Sequence, residues 1–358
     1  MFSFLRIASA LALLAGASSF STPGGSLNKR GGVITAGGPL FSTQHTTSDD
    51  DECTSTKEDT SFKRRDFLVA AVGASVIPQF VNPVLAVDES VNSQSLGPIC
   101  VIGGNGKTGS ECVGACISRG IDVVATSRGG IYTGAYASKS PKSAVCDVTN
   151  PDTIQSALKG SRAVIFAASA SKAGGTAAAV DNVGLVNVAK ACIENKIPSL
   201  VIVSSGSVTK PDSPVYRFLN LFGNIMEEKI KGEDAVRELY KGIDISRSTY
   251  TVIRPGGLTE EDLKGASFLE LNQGDSKSGR ISRADVAALC VEAAIFPNLA
   301  GGTTFECYDA DTAKPLQTVG FSNILKQRSK VGEEVFVSGK ERRGATFTDI
   351  FTGLEKDF

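Results

Sequence analysis

The chain of 358 residues contains no tryptophan, two methionines and a single histidine, and its eight cysteines nowhere form a C-x-x-C pair. That histidine, His45, stands in an N-terminal stretch that reads as removable. A Ser-His-Asp triad, a Cys-His pair and a His-ligated zinc site are therefore excluded from the mature part. Excess charge is lacking too, with 37 Lys+Arg against 38 Asp+Glu, so nothing draws the chain to nucleic acid or to an anionic membrane. Apolar runs long enough to span a bilayer are also missing. Most cysteines sit in apolar stretches, as Cys146 does in SAVCDV and Cys290 in DVAALCVEAA, where a free thiol packs as a small hydrophobe. Cys112 and Cys116, four apart on one helix, have no third or fourth ligand nearby, so no metal is expected.

What is present begins with two addresses. MFSFLRIASALALLAGASSFSTP has one early arginine, Arg6, an apolar run and small residues near Ala17 to Ser19, the pattern of a secretory signal over residues 1–19. Residues 20–62 are rich in Gly, Ser and Thr without periodicity, as in a disordered transit segment. A signal followed by Phe20 resembles the bipartite presequences of plastid proteins in algae with secondary plastids. Residues 63–86 then carry Arg64 and Arg65 ahead of a short apolar run and Val84-Leu85-Ala86, an arrangement that resembles a twin-arginine thylakoid signal; a basic patch beside a short buried helix is the alternative. Together they imply a thylakoid destination, lumenal or membrane-attached, with the stroma as the alternative.

From residue 87 onwards, apolar runs of strand length alternate with helical patterns, which predicts an α/β fold with a doubly wound parallel sheet in one domain over 87–310. Strands are expected at 99–102, 122–126, 143–146, 163–167, 200–203, 250–253 and 304–307, and helices at 108–118, 151–158, 177–195, 222–240 and 283–295. Residues 311–358 read as a small C-terminal portion serving substrate or partner, ending in a short amphipathic helix whose apolar face is Phe347, Ile350, Phe351 and Leu354. Ser282 and Asp285 have the spacing of a capping box.

The chemistry centres on VIGGNGKTG. Gly103, Gly106 and Gly109 form G-x-x-G-x-x-G between a strand and a helix, with Asn105, Lys107 and Thr108 filling the turn. Such a turn lets backbone approach a pyrophosphate at a helix N-terminus. The second strand ends in Thr126-Ser127-Arg128, where an acidic residue would favour NAD. The arginine accommodates a 2'-phosphate instead, so NADP(H) is the expected cofactor. Lys107 reads equally as a second cation for the cofactor or as a solvated loop lysine.

These pieces, with CDVTN, IFAAS, VDNVGLVNVAKAC, LVIVSSGSVTKP, YTVIRPGGLT and GRISRADVAALCVEA in order, resemble the atypical short-chain dehydrogenase/reductase family, in particular its NmrA-like and plastid NAD(P)-binding Rossmann branches, over about residues 98–310. The resemblance implies that Asp147 and Val148 edge the adenine, that Ala167, Ala168 and Ser169 line the cofactor, that Ser204 or Ser205 stands by the reacting group, and that Arg254, Pro255 and Gly256 flank the nicotinamide. It also exposes a departure. Tyr216 is followed four residues later by Asn220, so the family's Y-x-x-x-K is absent. Lys229, Lys231 and Glu233 instead match a K-x-K-x-E pattern of plastid relatives. The catalytic set is then Ser205 with Lys229, Lys231 or Tyr216, while EEKIKGED also reads as a solvated helix face and Tyr216 as a packed loop aromatic.

The resemblance therefore implies an NADP-dependent oxidoreductase, or a redox-neutral isomerase, acting on a small plastid metabolite or a pigment-related substrate. A non-catalytic NADPH-binding scaffold assisting photosystem assembly or plastid protein import is the alternative. In either case the partners expected are a small molecule or a photosynthetic assembly partner, with no nucleic acid and no membrane span in the mature protein.

Overall fold

The computed structural model describes residues 97–171, 174–221, 223–316 and 337–358, all within one compact unit. The expected addresses over 1–19, 20–62 and 63–86, and His45 with them, lie outside the described residues. Among those described, no helix is long and apolar enough to cross a membrane.

Strand β1 (Ile99–Ile102) is buried along its whole length. Its side chains alternate between two cores, Ile99 and Val101 in one and Cys100 and Ile102 in the other, as the two-residue period of a strand requires. A strand buried on both faces has to be apolar at every position, which is why the parallel strands stand out in the sequence. β2 (Val123–Ser127), β3 (Lys142–Val145), β4 (Ala163–Phe166), β5 (Ser199–Val203) and β6 (Thr249–Pro255) join β1 in parallel, followed in the sheet by β11 (Thr303–Asp309) and the antiparallel edge strand β8 (Leu269–Asn272). The spatial order is β3-β2-β1-β4-β5-β6-β11-β8. The chain reverses direction across the sheet between β1 and β4, the switch point at which dinucleotides lie in such folds.

Helices α1 (Lys107–Ser118) and α6 (Arg283–Ile295) bury Cys112, Val113, Cys116 and Val286 on one face. Helices α2 (Pro151–Leu158), α3 (Leu185–Glu194) and α5 (Ile225–Tyr240) bury Ile154, Val188 and Val236 on the other. The expected helix over 177–195 is in fact a π-helical turn, Ala178–Gly184, running into α3. The expected helix over 222–240 begins only at Ile225, after Asn224 takes a left-handed φ of 59°. Ahead of it stands a separate helix, α4 (Pro214–Asn220), which Ser213 caps by accepting the Tyr216 N–H and in which proline takes the first position.

Strand β8 was not foreseen. Its leucines, Leu269 and Leu271, enter the apolar core while Glu270 and Asn272 are buried among polar partners, so its alternation looks like that of a surface strand. Two short pairs complete the framework, β7 (Gly257–Thr259) with β10 (Arg280–Ser282) and β9 (Lys277–Ser278) with β12 (Lys314–Pro315). A seventh helix, α7 (Pro297–Ala300), follows α6. At α6, Ser282 Oγ accepts the Asp285 N–H at 2.9 Å. The C-terminal helix α8 (Phe347–Phe351) buries Ile350 and Phe351, with the Phe351 ring 5.9 Å from that of Phe305. Arg342 bridges to Leu271 of β8, so this segment closes the sheet edge.

Candidate functional site: a glycine turn and a polar-floored cleft

The turn after β1 has the shape its glycines permit. Gly103 has φ +81°, and a Cβ there would lie 2.9 Å from the backbone of Ala168. A Cβ on Gly109 would lie 2.1 Å from the Gly103 carbonyl oxygen. Helix α1 thus packs directly on the turn that introduces it. Gly106 is its N-cap and no side chain caps the first turn, which Lys107 and Thr108 open. Helix termini without caps are where anions bind, so the cradle fits a pyrophosphate.

Asn105 holds the cradle rather than facing it. Its Nδ2 donates to the Ile131 carbonyl at 2.9 Å and its Oδ1 accepts the Thr133 N–H at 2.8 Å, which pins the loop after β2 to the turn. Lys107 Nζ pairs with Glu260 at 2.8 Å, and Arg283 meets the same carboxyl oxygen at 2.8 Å; the Lys107 bond holds the Glu260 carboxyl below its usual range. Arg128 is exposed just beyond β2. Near it, the hydroxyl and N–H of Thr149, and then Arg128's charge, hold the Asp147 carboxyl low. Val148 is buried in the core, with its carbonyl accepting from Asn187 at 3.1 Å.

Beyond β4 the Ala167 N–H pairs with the Ile102 carbonyl, and the backbone of Ala168 abuts Gly103. Ser169 donates to Asp181 Oδ1 at 2.7 Å, the Ala170 N–H reaches Oδ2 at 2.8 Å, and Lys229 Nζ completes the group at 2.8 Å from Oδ1. Asp181 lies in the π-helical turn, a feature frequent at functional sites. Lys229 reaches it because α5 carries Gly232, where a Cβ would stand 2.4 Å from the Asp181 carbonyl oxygen. Lys231 points elsewhere. It is exposed and bound to Glu227 and Glu228 at 2.7 and 2.8 Å.

The carboxyl ends of β5, β6 and β11 open into a cleft of about 1010 Å³, counting its open mouth. Ser204, Ser205, Arg254, Pro255, Glu306 and Tyr308 are among its lining residues, with Val215, Phe218 and Leu219 of α4 on the apolar side. Tyr216 is not among them; it is half-buried on α4, and burial, then Glu227, push its hydroxyl pKa up. Ser205 Oγ donates to the Gly206 carbonyl at 3.1 Å. Under the cleft, Ser204 donates to Glu233, and Arg254 grips Glu233 with Nη2 at 2.6 Å and Nε at 3.2 Å. Arg237 is a third partner of Glu233, at 2.8 Å. These partners overcome the burial of Glu233 and keep its carboxyl below the usual range.

Sequence reasoning missed Asp275 and Glu306. Asp275 is fully buried with φ +54° and accepts the N–H groups of Ser207 and Thr209, fixing the loop after β5, where Ser207 itself has φ +66°. Two non-glycine residues in the left-handed region, bonded to each other beside a cleft, mark a constrained site. The available signal for Glu306 was an acid inside the apolar strand TTFECYD, a position an acid occupies only when partnered.

A family model described as NAD(P)H-binding matches residues 103–297. An uncharacterized chloroplastic protein of Arabidopsis thaliana is 30% identical over 216 residues, covering 57% of this chain and 74% of that protein. Among solved structures, a putative NAD-dependent epimerase/dehydratase from Bacillus halodurans superposes with TM-score 0.50 at 22% identity, over 62% of this chain and 96% of that one. An anaerobillin reductase from Escherichia coli O157:H7 gives 0.48 at 21%, over 61% and 99%. The glycine cradle at the switch point and the family match together identify the chain as a member of the NAD(P)H-binding family with a Rossmann-type fold.

Proposed function

We propose that the protein is an NADPH-dependent reductase of a small organic carbonyl or activated double bond, working in a plastid. The observation that carries this reading is the placement of the cleft. It opens at the carboxyl ends of β5, β6 and β11, along the same edge of the sheet as the glycine turn after β1, so a dinucleotide laid from β1 across β4 ends beside it. The apolar wall from α4 suits an organic body and the polar floor suits a reacting group. The chloroplastic relative supports the plastid.

In this reading Gly103, Gly106 and Gly109 hold the pyrophosphate, Arg128 the 2'-phosphate, and the Ser169-Asp181-Lys229 group the neighbouring ribose. When bound, the reduced nicotinamide supplies a hydride. Ser205, on the cleft wall, orients the substrate oxygen.

The test is NADPH oxidation by the purified protein against a panel of nitrobenzaldehyde, menadione and phenanthrenequinone. Turnover of at least one acceptor is expected; tight NADPH binding without any turnover would leave a scaffold. NADPH should bind at least about tenfold more tightly than NADH, a difference of about 1.4 kcal/mol, and Arg128→Glu should abolish the preference. Equal affinities in the unaltered protein would remove the 2'-phosphate site. Lys229→Ala, which strips the buried Asp181 carboxylate of the cation paired with it, should weaken NADPH binding by about tenfold. Lys231→Ala, on the surface, should shift it by less than about twofold, since exposed pairs contribute little.

A further inference from the structure

We propose that the Glu306 carboxyl, in the floor of the cleft, is the acid that protonates the substrate oxygen during reduction. The inference rests on the reductase reading and supplies the proton donor that the absent Y-x-x-x-K leaves unassigned.

Two buried carboxyls, Glu233 and Glu306, compete unequally for Arg254. That guanidinium lies between two buried carboxyls and gives Glu233 its short bonds, at 2.6 and 3.2 Å, leaving Glu306 one contact at 3.3 Å. Glu233 also has Arg237 and Ser204. Glu306 has the Asp275 N–H at 2.9 Å and the Asn272 amide at 3.4 Å on its other oxygen, and it feels the charge of the buried Asp275. One guanidinium therefore serves Glu233 first, and Glu306 is the member of the cluster that takes up a proton. Burial, and next the Asp275 charge, raise its pKa to about 7 against the opposing pull of Arg254. An acid poised near neutrality is the kind that general acid catalysis uses.

Two neighbouring groups are not competitors for this role. Lys277 of β9 is taken up by Glu270 of β8 and by Glu341, at 2.6 and 2.9 Å. Tyr308, two residues along β11, also lines the cleft, but burial and the carboxylates of Glu270, Glu306 and Glu341 push its pKa far up. Among the described lining residues Glu306 is the only carboxylic acid.

The proton leaves the Glu306 O–H and bonds to the carbonyl oxygen of the substrate, whose π electron pair moves onto that oxygen. The carbon receives hydride from the reductant, NADPH, leaving NADP⁺ and an alcohol. Solvent then returns a proton to the Glu306 carboxylate.

The experiment compares wild type, Glu306→Gln and Tyr308→Phe by NADPH affinity, by the pH profile of turnover with the fastest acceptor of the panel, and by infrared spectra of protein carrying ¹³C-labelled glutamate. Glu306→Gln keeps the shape of the neutral acid, so NADPH affinity should be retained. Turnover should fall about 100-fold, within the range for loss of a general acid. Wild-type turnover should decline above about pH 7, and that decline should vanish in Glu306→Gln. In wild type without cofactor, a protonated-carboxyl stretch should disappear as the pH rises through about 7 and be missing from Glu306→Gln. Tyr308→Phe should keep the decline above about pH 7. Undiminished turnover in Glu306→Gln, a glutamate stretch absent at pH 6, or loss of the profile in Tyr308→Phe alone would each overturn the assignment while leaving the reductase reading intact. A wild type that binds NADPH and reduces nothing removes both.

Discussion

Arg254→Ala should lower the free energy of unfolding by about 3 to 5 kcal/mol, the range for removing one partner of a buried ion pair. Arg254 is only 6% exposed and stands at the end of β6 between Glu233 and Glu306. Its loss leaves the Glu233 carboxylate buried with Arg237 as its remaining cation. Arg237 offsets part of the deficit, which places the expectation towards the lower end. Urea unfolding at neutral pH measures the effect, and a loss below about 1 kcal/mol would show that the cluster contributes little. The cause can be separated from simple truncation by combining Arg254→Met with Glu233→Gln. With both charges gone and the volume kept, much of the loss should return, as it does where buried pairs are replaced together. Acidity gives a second handle on the same cluster. Because the folded-state pKa of Glu306 is raised, its proton stabilises the folded state fully below the unfolded value near 4.3, and that contribution is lost as the pH climbs to about 7. Stability should therefore fall across that window in wild type and stay flatter in Glu306→Gln.

The parts of this molecule legible in sequence are those governed by one simple period or one steric demand. β1 and α2 stand where the pattern put them, because ICVI is apolar throughout and Asn150-Pro151 marks a helix start by cap and by fixed φ. The glycine turn was legible for a similar reason, since Gly103 and Gly109 each exclude any side chain. What stayed hidden depends on long-range partners. Glu270 and Asn272 look like solvent-facing positions, and it is partners such as Lys277, Arg343, Ser338 and Glu306, distant from them in sequence or on another turn of chain, that make their burial tolerable. The lysine of α5 that matters could not be chosen from EEKIKGED alone. The choice follows from Gly232, which lets the helix approach the π-helical turn so that Lys229 meets Asp181 while Lys231 stays in solvent. A glycine in the middle of a helix is itself a signal of close approach, and it is the one clue in that stretch that singles out a face. Glu306 was missed because its chemistry arises from competition between two carboxyls for one guanidinium, and those three residues come from α5, β6 and β11.

Gly109→Ala should weaken NADPH binding at least about 100-fold, equivalent to about 2.7 kcal/mol, and by more than it weakens the fold. The added Cβ would meet the Gly103 carbonyl oxygen at 2.1 Å, its carbon at 2.8 Å and Gly104 Cα at 3.2 Å. All three are backbone atoms of the turn, so no side-chain rotation relieves the clash. Helix α1 must slide away from the cradle or the cradle must open, and either movement separates the N–H groups that converge on a pyrophosphate. Gly104→Ala makes an instructive contrast, because its nearest neighbour would be the Ala125 methyl at 3.3 Å, a tight contact that small shifts accommodate. Gly129→Ala is the blank: nothing lies within 4 Å of its added methyl, and its effect on stability should stay within about 0.5 kcal/mol. Isothermal titration with NADPH and urea unfolding on the three variants separate cradle from scaffold. If Gly109→Ala and Gly129→Ala bind NADPH alike, the turn does not hold the cofactor. Graded losses, steepest at Gly109 and absent at Gly129, follow only if the backbone between β1 and α1 is itself the ligand-binding surface.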